Sequence, residues 1–303
     1  MTANVLRLAA RHGRLLLVAG LVAGFTLPGL AATLKPWLPP MVAGLVFISA
    51  LRIGLRAAVG NLAQARGSLG VVLALQLGVP LFLVALFALT GWLGSAAALA
   101  LVLAMSAPSI SGGPAFTAML GHDPAPAMRL LVLGTALLPL TVLPVFWLLP
   151  ALGGVSDVAH AALRLTAILG LAIAAAFALR RMTFPDPRPE TIQMLDGLAA
   201  IALATIVIGL MSAVGPALRA DPAAFAGWLA LAFAINFGMQ ALSFAAHGSA
   251  PVSVIAGNRN IALFLVALPA SVTDPVLIFI GCYQVPMYLT PVLLGKFYGK
   301  PTV

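Results

Sequence analysis

The sequence predicts an all-α integral membrane protein of ten transmembrane helices, arranged as two inverted five-helix repeats. Three observations lead there: the composition, the number of apolar runs, and the alternation of basic residues between those runs. Of 303 residues, 62% are hydrophobic and 8% charged, with a mean hydropathy of +1.12. A soluble domain carries about 25% charged residues. This chain lacks the polar surface to face water, so lipid must be its solvent over most of that surface. The net charge of +9 is spread one loop at a time, with no basic tail or patch, which excludes a nucleic-acid partner. The single cysteine, Cys282, rules out an internal disulfide and a Cys-based metal cluster.

Apolar runs bounded by polar breaks place spans near 14–34, 39–55, 69–90, 93–121, 128–152, 160–179, 192–214, 224–246, 249–269 and 275–297. Little chain is left for a soluble domain. The first run, from about Arg14, is long enough to stay in the bilayer as a span rather than leave as a signal peptide.

Lys and Arg positions test the count, because cytoplasmic loops accumulate them. With the N-terminus inside, Arg7, Arg11, Arg14, Arg52, Arg56, Arg66, Arg129, Arg180, Arg181, Arg188, Lys296 and Lys300 face the cytoplasm. Lys35, Arg164 and Arg219 face out, and Arg259 falls within a span. Twelve against three of the 16 basic residues is the alternation expected of an inner (plasma) membrane protein with both termini in the cytoplasm. The halves meet near Leu152–Ala159 (LGGVSDVA), giving repeats over 1–152 and 159–303. Five spans per half invert the second repeat relative to the first.

The fourth span of each half is interrupted. LVLAMSAPSISGGPAFTAML carries Pro108, Ser109, Ser111, Gly112, Gly113 and Pro114 at its middle, and SAPVSVIAGNRNIALFLVALP carries Gly257, Asn258, Arg259 and Asn260. Backbone freed by such residues survives at membrane depth only where protein or a wet cavity surrounds it. Paired interruptions in corresponding spans point to a transporter's binding site, with half-helix N-termini presenting N–H donors to anions. The expected substrate and crossover residues are therefore Ser111, Gly112, Gly113, Pro114, Thr117, Gly257, Asn258, Arg259 and Asn260. A kink in either span is the plainer reading of one break taken alone.

SGGPAFTAMLGHD (Ser111–Asp123), AGNRNIALFLVALP (Ala256–Pro269) and LALQLGVP (Leu73–Pro80) resemble segments of the bile acid:sodium symporter superfamily, and the similarity runs over nearly the whole chain. The resemblance implies that spans four and nine unwind and cross in a core domain (69–152 plus 224–297). A panel domain (14–55 plus 160–214) would move against it. It implies alternating access and an organic anion as solute, driven inward by sodium in typical members. Where sodium-coupled members carry a glutamate before the ninth-span break, this chain has Ile255, and where they carry a glutamine it has Arg259. Phe116–Thr117 stands in place of a Ser-Asn pair. The candidate sodium ligands that remain are Gln76, Thr117 and Asn260, and no other cofactor is implied.

Arg259 is the most informative single residue. A charge near mid-bilayer costs about 2.5–3.5 kcal/mol on insertion scales, so it should face a cavity and have partners. The acids Asp123, Asp157, Asp186, Glu190, Asp196, Asp221 and Asp274 all map to loops or span ends. Arg259 therefore either replaces the sodium charge and attracts an anion, or braces carbonyls of the broken helices. Gln76, Asn236, Gln240, Tyr283 and Gln284 put further polar tips into apolar spans, as ligands or as glue between helices.

The function expected is secondary transport of a small organic anion, with the bilayer and that solute as partners. A sodium-coupled symporter with non-standard ligands is an alternative. An efflux permease related to arsenite exporters is another, although span four lacks the cysteine such proteins use. An intramembrane enzyme would need a nucleophile–base pair or paired acids, and the sequence has no HExxH, GxSxG or buried aspartate pair.

Overall fold

A computed structural model of the protein describes residues 2–58 and 66–299; Met1 and Lys300–Val303, at the outer ends of the two expected repeats, lie outside the described residues. The described residues form helices throughout, with one isolated antiparallel bridge between Ser109 and Arg259. Among the described residues seven helices are long and apolar enough to cross a membrane: Pro28–Ile53, Gly67–Leu89, Ala125–Trp147, Val155–Thr183, Pro189–Ala220, Pro222–His247 and Ala270–Leu293. A bent pair near the N-terminus makes eight if counted as one span. The protein is therefore membrane-embedded and all-helical.

In chain order the helices are α1 Thr2–Arg11, α2 Gly13–Thr26, α3 Pro28–Leu34, α4 Leu38–Ile53, α5 Arg66–Leu73, α6 Val79–Leu89, α7 Ala96–Ser106, α8 Gly113–Met119 and α9 Ala125–Trp147. They continue with α10 Val155–Thr183, α11 Pro189–Leu210, α12 Val214–Ala220, α13 Pro222–His247, α14 Ala250–Gly257, α15 Ala270–Thr273, α16 Leu277–Leu293 and α17 Gly295–Tyr298. Local chemistry sets their ends. Ser95 caps α7 by accepting from Ala98 N (3.1 Å), and Asp221 caps α13 by accepting from Ala224 N (2.9 Å), with Pro222 at the first helical position. Gly248 (φ 62°) ends α13 in the left-handed region.

Three expected spans take a different form. The run 14–34 is not one helix: it breaks at Leu27, because Pro28 lacks an N–H and starts a new helix. α3 instead runs through a 3₁₀ turn at Lys35–Trp37 into α4, so the short expected span at 39–55 becomes the 26-residue Pro28–Ile53. The ninth run, 249–269, is α-helical only to Gly257 and resumes as a 3₁₀ segment, Ile261–Val266.

The helices pack along the whole chain, with α9 also against α10 and α4 against the 3₁₀ segment Ile261–Val266. α11 packs on α1, α2, α3 and α4, and α4 on α10. α13 packs on α14 and α16, α9 on α5 and α14, and α6 on α7. Gly20 and Gly24 let α2 lie close against Ala204 and Met211, where a Cβ would collide. Ion pairs join Lys35 to Asp274 (2.9 Å), Arg56 to Asp186 (3.0 Å) and Arg52 to Asp196. Each pair unites residues that the loop alternation assigns to the same side of the membrane.

Candidate functional site

The two interrupted runs meet. α7 ends at Ser106, Ala107 and Pro108 turn the chain extended, and α14 ends likewise at Gly257. The extended residues pair antiparallel: Ile110 N donates to Asn258 O (3.0 Å) and Asn260 N to Pro108 O (2.8 Å). Backbone groups that hydrocarbon could not satisfy thus satisfy one another. The half-helix after the first break is short, Gly113–Met119, and the 3₁₀ segment follows the second.

Arg259 sits in the middle of this crossing, 2% exposed. Its Nη2 donates to Leu75 O (2.8 Å) and Met105 O (3.3 Å). Both carbonyls are free for a traceable reason. Residues Ala74–Gly78 form a π-helical segment in which Val79 N donates to Ala74 O. The same register would have residue 80 serve Leu75 O, but Pro80 has no N–H. Met105 O would be served by Ser109 in a continuing helix, and Ser109 has instead left for the bridge. Of the two roles foreseen for Arg259, carbonyl bracing is what the structure displays. The expectation that it faces a cavity is not met: its side chain is enclosed and does not line the cavity described below.

Behind the crossing lies a buried polar chain. Tyr283 OH and Asn236 Nδ2 (2.6 Å) both donate to Gly257 O. Gln240 Nε2 donates to Asn236 Oδ1 (2.7 Å) and Thr290 Oγ1 (3.1 Å), and Thr290 Oγ1 donates to Asn258 Oδ1 (3.2 Å). Tyr298 OH donates to Gln240 Oε1 (2.8 Å), ending the chain at α17. Asn236, Gln240, Tyr283 and Asn258 therefore belong to one network. Gln284 stands apart, bonded to Ile280 O of its own helix (3.0 Å). Thr290 and Tyr298 were not foreseen: a threonine in a proline-flanked helix and a tyrosine past the expected span end carry no distinctive spacing.

In front of the crossing lies a cavity of about 180 Å³ between α4, α9, α10 and the two breaks. Its polar lining is Ser49, Ser109, Ser111, Thr135 and Asn260, set among Val46, Ile53, Leu131, Ile173, Phe177 and Leu263. Ser49 Oγ donates to Ser111 Oγ (3.0 Å), linking α4 to the first break. Among the described residues no charged side chain lines it. Of the expected site residues, Ser111 and Asn260 reach this cavity. Gly113, Pro114, Thr117, Gly257, Asn258 and Arg259 are buried at or beside the crossing, and Gly112 is half-buried there. Ser49 and Thr135 were missed because a lone hydroxyl on an apolar helix is common.

The candidate sodium ligands each have their own place. Gln76 Nε2 donates to Gly134 O (3.2 Å), Thr117 Oγ1 donates to Gly113 O (3.0 Å), and Asn260 faces the cavity. Among the described residues no group of three or more His, Cys, Asp or Glu could hold a metal ion.

No family model matches this chain, and no curated protein matches it.

Proposed function

We propose that the protein is a secondary transporter that moves a small organic anion by alternating access, as a divergent member of the bile acid:sodium symporter superfamily. The observation that carries this reading is the paired bridge between Ser109 and Arg259, with a solute-sized cavity beside it. Two helices that both lose their backbone bonds at one buried point create polar groups inside the bilayer, and a carrier is the function that needs them. In this reading the ten spans form two inverted repeats. The α2, α4, α10 and α11 group is the panel, and α5, α6, α7, α9, α13, α14 and α16 form the core. Spans one, four and nine are then the ones composed of broken pieces.

The cavity lies where those groups face each other, so a sliding or rocking motion between them would open and close it. Its hydroxyls and the Asn260 amide offer donors to a carboxylate while the apolar walls take the hydrocarbon part of a solute. Among the described residues no acid lines it, which favours an anionic over a cationic solute. By the loop alternation the cavity lies on the cytoplasmic side of the crossing.

The test is flux. Thermal stabilisation of the purified protein across small monocarboxylates and dicarboxylates identifies a solute, which is then followed in proteoliposomes. Saturable uptake with counterflow, abolished by filling the cavity with Thr135→Trp, is expected. Flux that never saturates and shows no counterflow would make the protein a channel, and turnover of the solute would make it an enzyme.

A further inference from the structure

We infer that Arg259 permanently occupies a two-carbonyl cradle suited to a small monovalent cation, so that the crossing is held together without any exchangeable cation at that point. The functional meaning rests on the carrier reading, but the physical content does not. Leu75 O and Met105 O come from different helices, and each is freed by a proline or a chain break rather than by chance. They converge on one buried position. α7 and α14 both end at the crossing, so the negative ends of two helix dipoles point at the same place. Carbonyl oxygens and helix C-terminal ends are the groups that coordinate small cations inside membrane proteins. Here the chain delivers the positive charge itself.

How the guanidinium is used supports this. An arginine usually spreads its bonds over a planar fork. Both contacts here come from one nitrogen, Nη2, while Nε is buried with no partner. A single nitrogen thus serves both oxygens, as one point of positive charge would. No carboxylate takes part in either contact. What the position requires is a point of positive charge, and the arginine supplies it at the end of a tether that cannot leave. A carrier built this way has no cation to release at this site, so its cycle would not draw on a cation gradient there.

Thermal unfolding of the full-length protein in detergent tests this at constant ionic strength in choline, sodium or millimolar guanidinium chloride. The wild type is expected to melt at the same temperature in all three. Arg259→Ala should melt lower in choline by roughly 5 °C or more, and sodium or guanidinium should recover a substantial part of that loss. Arg259→Lys keeps a point charge on a flexible stem and should stay close to wild type and indifferent to the salt. A wild-type melting temperature that rises in sodium relative to choline overturns the inference. So does an Arg259→Ala protein whose melting temperature ignores both small cations. Should the alanine variant fail to fold, Arg259→Met retains the volume without the charge and carries the same two outcomes. Should that fail too, a folded, salt-indifferent lysine variant supports the inference and a sodium-requiring one overturns it. None of these readouts involves flux. Failure here leaves the carrier reading intact, and absence of solute flux leaves the cradle intact.

Discussion

Ser109 and Arg259 lie opposite each other in an antiparallel bridge, the single pairing of strand type among the described residues. Asn260 N donates to Pro108 O at 2.8 Å on one side of it, and Pro108 O has no helical donor to fall back on. Asn260→Pro removes that N–H and leaves a buried carbonyl unpaired, at a cost of about 1–3 kcal/mol. Asn260→Ala keeps the backbone bond and alters only the cavity wall. Thermal unfolding should therefore separate the two, with the proline variant much less stable. Equal stability would mean that the bridge does not hold the crossing.

Gly257 is where α13 approaches the second break most closely. A Cβ there would overlap Asn236 O and the side chain of Gln240. Gly257→Ala should destabilise by about 1–3 kcal/mol through overpacking, measurable as a lowered melting temperature. The same change at Gly44 of α4, which has open space around it, should be neutral or slightly stabilising.

Two tyrosine hydroxyls differ in one respect that a conservative change can read. Tyr298 OH donates to Gln240 Oε1 at 2.8 Å, whereas Tyr288 OH is buried without a partner. Tyr298→Phe strands the Gln240 oxygen and should cost about 1–2 kcal/mol. Tyr288→Phe removes an unpaired hydroxyl and should be neutral or stabilising. Reversal of that order in paired melting curves would show that the polar chain behind the crossing does not reach α17.

At the expected cytoplasmic end, Gly54 follows α4 with φ 76°. Arg180 packs against it and donates through Nη1 to Leu51 O (2.6 Å) and Arg52 O (2.7 Å), capping α4 from α10. Gly54→Ala is strained by its backbone and also meets the guanidinium. A loss of about 1–3 kcal/mol is expected. Hydrogen exchange in α4 should rise selectively if the cap is what fails.

How far the chain could be read in advance differs from element to element. Six of the seven continuous spans follow from runs of apolar residues, since lipid demands them wherever chain and bilayer meet. The two breaks were legible because they fall in corresponding spans of the two halves; glycine or proline alone does not mark one, since Pro139, Pro144, Pro286 and Pro291 sit inside unbroken helices. The boundary at Leu27 was not, since hydropathy does not register that Pro28 restarts the helix. Nor was the π segment at Ala74–Gly78, whose consequence, a bare Leu75 carbonyl, depends on hydrogen-bond register rather than on residue type.

Composition and periodicity determined the solvent of this protein, the bulk of its helices, and the two places where those helices must fail. They did so because burying backbone in lipid is a local requirement, met or broken within a few residues. Only the tertiary structure decided that the two failures lie against each other, that Arg259 turns inward to Leu75 and Met105, and that Ser49, Thr135 and Asn260 share a cavity. Those relationships join residues far apart in the chain, and no local pattern can say which freed carbonyl will meet which donor.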